Sequence, residues 1–153
     1  MSAPRIQVSR ALDVYPNDDV NIPYPNLVNT GSNTSVVTDQ LVDTNVDFIT
    51  MGIKIGDTVW NATTNDYALV TGVYTNVLEL SLDIFTLVGT GYGIYQGENT
   101  GCLLYVGKAG NVAVTTTGGD EVVFASVNAG QFLPVQVLKV MTATTAGNIL
   151  AIW

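Results

Sequence analysis

The chain has 153 residues, a formal net charge of −8 from 13 acidic and 5 basic side chains, and no histidine. Catalysis by an imidazole base and histidine ligation of zinc are therefore excluded within one chain. The single cysteine excludes an intrachain disulfide. An apolar fraction of 47% with 12% charged residues predicts a folded chain rather than a disordered one.

The charge and hydropathy also bear on partners. An acidic surface repels phosphate backbones, so nucleic acid is not expected as a partner. No run approaches the roughly 18 apolar residues of a membrane span, and the first residues predict neither a signal nor a transit peptide. Low charge with high hydrophobicity predicts that other subunits cover part of the apolar surface.

The composition predicts an all-β fold. Val, Thr and Ile together make up 50 of the 153 residues. β-branched side chains suit a pleated, half-buried surface better than a helix. We divide the chain into an extended N-terminal arm (1–35), a small β-barrel-like module (36–98) and a C-terminal antiparallel β-sandwich or jelly-roll-like module (99–153).

Residues 1–35 are predicted to be extended because they contain four of the five prolines. In the run Ile22-Pro23-Tyr24-Pro25-Asn26, proline fixes φ and removes amide donors that a sheet would need. Isolated apolar residues between acids cannot build a core alone. The arm therefore needs a surface to lie on, either its own domain or a neighbouring subunit.

Residues 36–98 alternate short β runs with turn clusters. The predicted runs cover 53–60, 67–74 and 77–82. In the last of these, Leu78, Leu80 and Leu82 share one face, as expected of a strand with one buried side. A closed or nearly closed barrel would avoid exposed edges between such strands.

Residues 99–153 carry the clearest hairpin. Runs at 112–117 and 121–127 flank Gly118-Gly119-Asp120, whose glycines can take the positive φ of a tight turn. Further strands are predicted at 132–141 and 149–153. The final Ile152-Trp153 is too apolar for a loose tail, so it is expected in a sheet or an interface.

Glycine-rich segments do not predict a phosphate or dinucleotide site. Gly101 and Gly107-Lys108 have the wrong spacing for a phosphate-binding loop, and Ala109 replaces the Ser or Thr that would bind magnesium. Gly89, Gly91 and Gly93 lack the third glycine of the dinucleotide motif and are predicted to form a flexible turn between strands.

The acidic residues do not form a recognisable site either. Asp39, Asp43 and Asp47 recur every four residues, so three carboxylates could hold a hard cation if this stretch were helical. The spacing is not that of a calcium loop, and a solvated face, or turn and cap positions ahead of Phe48, is the favoured interpretation. Asp57 is interpreted as a turn residue after Gly56. Two carboxylates at a glycosidase separation stay possible, because the sequence does not show distances. We assign no catalytic, cofactor-binding or metal-binding residue and expect no enzyme.

Aromatic side chains are the remaining candidates for binding. Tyrosines such as Tyr74 and Tyr92 could stack on sugars or anchor a protein interface. Placement in the core or at strand ends is the favoured interpretation for most of them.

Three stretches of the chain resemble tailed-bacteriophage virion structural proteins. The stretch SRALDVYPNDDVNIPYPNLVNTGSNTSVV is similar to the N-terminus of such proteins. The stretch LVDTNVDFITMGIKIGDTVWNATTNDYALVTGVYTNVLELSLDIF, followed by GYGIY, resembles a small β module found in many of them. The tail from Thr100, with its Phe-Leu-Pro-Val strand entry and terminal Trp, resembles the spike-base domain of phages and gene transfer agents.

The resemblance implies a non-enzymatic virion protein that binds and stabilises the capsid as a decoration, cement or spike-base protein. Implied partners are the major capsid protein or other virion proteins and further copies of the chain, with a homotrimer favoured. The implied location is the capsid surface rather than the tail, after assembly in the host cytoplasm. The alternative is a tail or fibre component that binds host-surface glycan. Expected interface residues lie in the arm and at the C-terminus: Ile22, Pro23, Tyr24, Pro25, Leu27, Ile152 and Trp153.

Overall fold

The computed structural model describes residues 8–153, which form twelve strands and no helix. The strands build two antiparallel sheets of six strands each, so the predicted all-β class is confirmed. Within residues 8–153, no helix is long and apolar enough to cross a membrane. The strands are β1 (Ala11–Asp13), β2 (Leu27–Ser32), β3 (Gln40–Val42), β4 (Thr58–Asn61), β5 (Tyr67–Val73), β6 (Val77–Leu80), β7 (Gly91–Tyr95), β8 (Cys102–Lys108), β9 (Gly110–Thr116), β10 (Glu121–Val127), β11 (Gln131–Val140) and β12 (Gly147–Ile152).

The chain folds into two compact units. Unit 1 contains residues 8–22 and 99–153, and unit 2 contains residues 23–98. This grouping differs from the predicted arm over 1–35, because its described residues are shared between the two units; residues 1–7 of that arm lie outside the described residues. The reason is strand pairing between distant segments, which local composition does not reveal.

Unit 1 brings the two ends of the described chain into one sheet. Its strand order is β1-β12-β8-β11-β9-β10. Ala11 of β1 lies opposite Ile152 of β12, and Ile149 of β12 lies opposite Val106 of β8. The predicted hairpin is confirmed, since β9 and β10 pair antiparallel around residues 117–120.

Residues 13–22, here called the strap, lie along unit 1. Their backbone amides donate to carbonyl groups of the later strands: Val14 to Ile149 at 2.9 Å and Ile22 to Leu138 at 2.8 Å. Both side chains are buried in the core of this unit. Of the two surfaces expected for the arm, the strap therefore uses its own unit.

The core of unit 1 is lined by aliphatic side chains from all its longer strands. β8 supplies Leu104 and Val106 on one face, with the period of two that a half-buried strand requires. This central strand was not among the predicted runs, although its alternation is present in the sequence. The core residues with 0% exposed surface are Leu104, Val106, Val112, Val114, Val137 and Ala151.

Unit 2 has the strand order β2-β7-β4-β5-β6-β3. The predicted face of β6 is confirmed, because Leu78 and Leu80 are buried in the core with Phe48 and Phe85. An isolated antiparallel bridge joins Ser35, after β2, to Val42 of β3 at the other end of the sheet order.

The predicted flexible turn at Gly89, Gly91 and Gly93 is wrong for the last two residues. Both lie in β7, and Gly93 pairs with Trp60 of β4. A Cβ at Gly93 would lie 2.9 Å from Leu27 Cδ1 and 3.2 Å from Trp60 Cε3. Gly93 therefore lets the side chains of Leu27 and Trp60 lie close over the strand, and the chain does not turn here.

We expect Gly110→Ala to destabilise unit 1 by about 1–3 kcal/mol, because the added methyl group has no space. Its Cβ would lie 2.7 Å from the Cα atom of Ala146, which is backbone and cannot rotate away. Gly118→Ala is the control, since its nearest neighbour would be 3.5 Å away. Urea unfolding measures both variants, and equal losses of stability would contradict the prediction.

We also expect Asp18 to give the strap a pH-dependent attachment. Its carboxylate accepts hydrogen bonds from the Thr142 amide at 2.8 Å and the Thr142 hydroxyl at 2.6 Å. These bonds hold the pKa of Asp18 below its ordinary value. A lowered folded pKa means that the stabilisation is complete above about pH 4 and is lost as pH falls through the folded pKa.

The test is thermal unfolding of the native chain and Asp18→Asn from pH 7 to pH 2. The native chain should be the more stable one at pH 7, and the difference should shrink below about pH 4. A difference that stays constant over this range would show that the Asp18 carboxylate does not contribute.

Candidate interaction surface

The acidic residues weighed as a cation site do not converge. Asp43 is buried, Asp47 accepts hydrogen bonds from the amide and hydroxyl of Thr50, and Asp39 is exposed with a φ of 55°. Among residues 8–153, no three acidic or cysteine side chains are grouped as metal ligands. The turn interpretation of Asp47 is confirmed by its bonds to Thr50.

A buried pair of Asp43 and Tyr92 organises the interior of unit 2. The Tyr92 hydroxyl donates to Asp43 Oδ2 at 2.7 Å and accepts from Asn29 Nδ2 at 3.3 Å. Burial, and then the neighbouring Asp43 carboxylate, raise the pKa of Tyr92 above its ordinary value. The phenol therefore stays protonated and donates to the carboxylate. With only 2% of its surface exposed, Tyr92 cannot stack on a ligand.

Cys102 is also buried, in the core of unit 1. Its thiol lies 3.4 Å from the Val137 carbonyl oxygen. Burial raises the pKa of the thiol to about 12. The reactive thiolate is therefore scarce at neutral pH.

The arm residues expected at an interface are placed differently from one another. Ile22 is part of the core of unit 1, and Pro23 is buried. Tyr24 and Pro25 are half-buried, and the Tyr24 ring lies against Gly97. Leu27 is 47% exposed and is the member of this group that faces solvent.

The two C-terminal residues of the predicted interface are tied into unit 1. Ile152 belongs to β12, and the Trp153 amide donates to the Arg10 carbonyl at 2.9 Å. The Trp153 indole donates to Asn99 Oδ1 at 3.2 Å. Both side chains are half-buried, so the expectation of a sheet position is confirmed.

Four exposed aliphatic side chains occupy two neighbouring loops of unit 2. Leu87 and Val88 are 69% and 64% exposed, and Val36 and Val37 are exposed as well. We call these four residues the Leu87 patch. Sequence reasoning missed it, although two aliphatic pairs flanked by turn residues were visible.

Asn33 holds the two loops of the Leu87 patch together. Its side-chain nitrogen donates to the carbonyl oxygens of Leu87 at 3.0 Å and Ser35 at 3.2 Å. Its side-chain oxygen accepts from the Thr90 amide at 2.7 Å. One buried amide thus satisfies backbone groups of both loops and fixes the apolar tips in place.

A second apolar loop surface, the Ile55 patch, consists of Ile49, Met51 and Ile55. Asp57 supports this loop by accepting hydrogen bonds from the Lys54 amide at 2.8 Å and from Gln96 Nε2 at 3.0 Å. The predicted turn role of Asp57 is therefore confirmed.

The two patches lie at opposite ends of β7. Its first residue, Gly91, follows the loop of Leu87, and its last residue, Tyr95, precedes the Gln96 that contacts the Ile55 loop. Five strand residues separate the ends by about 15 Å. Rigid loops that expose aliphatic side chains suit contact with another protein surface, because little order is lost on binding.

Exposed aromatic rings are few among the residues described. Tyr74 is exposed, with its hydroxyl 3.3 Å from Glu79 Oε1. Phe132 is exposed beside Tyr105, at a ring-centroid distance of 5.2 Å. These are the rings that a flat ligand could reach.

Comparisons with protein-family models, with curated proteins and with solved structures found no match for this chain.

We expect Tyr92→Phe to lower the free energy of unfolding by about 1–3 kcal/mol, because Asp43 would lose a donor in a buried position. Tyr74→Phe is the matched control, since it removes a hydroxyl bonded to a carboxylate at an exposed site. Its effect should stay within about 0.5 kcal/mol. Denaturant titration measures the free energy of unfolding of both variants. A Tyr92→Phe variant as stable as the native chain would show that the Asp43–Tyr92 hydrogen bond does not stabilise unit 2.

Proposed function

We propose that this chain is a non-enzymatic structural protein of a bacteriophage virion, which binds and stabilises the capsid as a decoration, cement or spike-base protein. The observation that carries the proposal is the concentration of exposed aliphatic side chains in the Leu87 and Ile55 patches. Contact surfaces of this kind favour a protein partner over a small polar ligand. The sequence resemblance to virion proteins supports the same reading.

The loops that carry the patches are stabilised before binding. Asn33 fixes one end of unit 2 and Asp57 the other, each through hydrogen bonds to loop backbone. A partner would therefore bury apolar area without first ordering the loops. This is an advantage for a protein that must add to a preformed shell.

Part of the proposal concerns architecture. We take unit 2 as a small barrel-like module, supported by the Ser35–Val42 bridge between segments at the two ends of its sheet order. Unit 1 is taken as a sandwich or jelly-roll-like module, supported by β11. The first part of that strand pairs with β8, and its last part pairs with β9. A strand that changes partners in this way can turn a corner between two layers.

The proposed partners are the major capsid protein or other virion proteins, together with further copies of the chain in a homotrimer. The proposed location is the capsid surface, reached after assembly in the host cytoplasm. Neither nucleic acid nor a membrane takes part in this proposal.

A tail or fibre component that binds host-surface glycan is the second candidate. The exposed ring of Phe132 beside Tyr105 favours it, because stacking on sugar rings needs an accessible aromatic face. Binding on a glycan array that disappears in Phe132→Ala, and persists in Tyr74→Ala, would support this candidate.

The direct test is antibody labelling of gradient-purified particles, viewed by electron microscopy. We expect label on the heads. Label confined to tails would support the second candidate, and particles without label would overturn both.

We expect Leu87→Asp combined with Val88→Asp to reduce head labelling at least about tenfold, because the patch would lose its apolar contact and gain charge. Thr63→Asp, at another exposed turn of unit 2, is the control and should label normally. Circular dichroism confirms folding of both variants. Normal labelling by the double variant would show that the Leu87 patch is not the contact surface.

A further inference from the structure

β10 is the outer strand of the sheet of unit 1. It pairs with β9 on one side, and within residues 8–153 no strand pairs with its other side. Val122 and Val123 are exposed, and Phe124 is half-buried. The strand holds neither lysine nor proline, the residues that commonly prevent an open edge from pairing.

The direction of the free backbone groups follows from the hairpin. The Thr116 amide donates to the Asp120 carbonyl at 2.9 Å, which makes this a hydrogen-bonded pair. Alternation along an antiparallel ladder then directs the groups of residues 122 and 124 toward β9. The amide and carbonyl groups of Glu121, Val123 and Ala125 point outward.

The two faces of β10 differ in character. Val122 lies opposite Val114 and Phe124 opposite Val112, both fully buried core residues. Phe124 packs against the core of unit 1, and Val122 on the same face is 41% exposed. Val123 stands on the opposite face and is 61% exposed.

We propose that β10 pairs antiparallel with β10 of a second copy of this chain, about a two-fold axis at Val123. In this register Val123 lies opposite Val123 of the second copy, and Val122 lies opposite Phe124 of the second copy. The outward groups form about six new backbone hydrogen bonds. The inference does not rest on the proposed function.

The sequence of β10 is complementary to itself in this register. Glu121 is the only charged residue of the strand, and it lies opposite Ala125 of the second copy, so the two carboxylates are at opposite ends. Each Phe124 meets a valine, an aromatic with β-branched pair that stabilises neighbouring strands. In this register the strand therefore places no like charges opposite each other, and its apolar side chains pair with one another.

The pairing is also limited in length. Ser126 has a φ of 54°, and the register with β9 shifts between Phe124 and Val127. This bulge ends the regular edge. A two-fold contact uses the same surface on both copies, so it closes after two and does not propagate.

Val123→Cys in the full chain tests the register. The Cα atoms of a hydrogen-bonded antiparallel pair are about 5.5 Å apart, which suits a disulfide. We expect this variant to form a covalent dimer in air at least about tenfold faster than Ile49→Cys, a cysteine of matched exposure in unit 2 (58% against 61%). Equal rates for the two variants would overturn the proposal.

Val123→Pro tests the hydrogen bonds. Its amide points away from β9, so proline removes an outward donor without breaking the ladder inside unit 1. Light scattering should show that the native assembly has twice the mass of the Val123→Pro assembly. An unchanged mass, with circular dichroism like that of the native chain, would overturn the two-fold contact.

Ionic strength gives an independent measurement. Each copy carries a formal charge of −8, so the copies repel and salt should strengthen their association. Sedimentation at about 50 and 500 mM salt measures this. Weaker association at high salt would contradict an apolar contact between like-charged copies. A native chain that is already a trimer, with the same mass as Val123→Pro, would refute this inference and leave the proposed function standing.

Discussion

Backbone pairing between segments far apart in the sequence is the interaction on which this protein depends. In unit 1, β12 lies between β1 and β8. The last described strand of the chain therefore pairs with the first. The strap then adds Val14 and Ile22 to the core. Without the pairing to β1, that edge of β12 would have no strand partner among residues 8–153. Unit 1 is thus completed only when β12 has been made.

Buried polar side chains hold the loops of unit 2 through hydrogen bonds to their backbone. Asn33, Asp57 and Asn61 are buried and bonded to backbone groups of turns, while Asp43 is bonded to Tyr92 and to the amide of Asn45. Each forms hydrogen bonds with groups that burial would otherwise leave unpaired. A buried polar group without a partner costs about 1–3 kcal/mol of folding free energy. The carboxylates of Asp43 and Asp57 are therefore engaged in hydrogen bonds inside unit 2.

The apolar side chains that stay exposed lie on loops and at a strand edge. The strands bury their core-facing side chains, but the loops held by Asn33 and Asp57 display aliphatic residues outward. The edge at β10 exposes apolar side chains, together with backbone groups that no strand within residues 8–153 pairs with. These two kinds of surface differ physically, since loop patches accept any complementary apolar face, whereas a strand edge requires another strand.

The sequence by itself determined the all-β class, the turn at residues 118–120 and the buried face of β6, because β propensity, turn chemistry and alternation are local properties. It did not determine the partners of those strands. The strap, the role of β8 and the burial of Tyr92 were decided by tertiary structure, since each depends on segments that are distant in the chain. Leu27 and Ile22 illustrate the point: both are aliphatic residues within two positions of a proline, yet one is 47% exposed and the other fills a core. The difference in their burial is decided by which distant strands each segment contacts, and their local sequence does not specify those contacts.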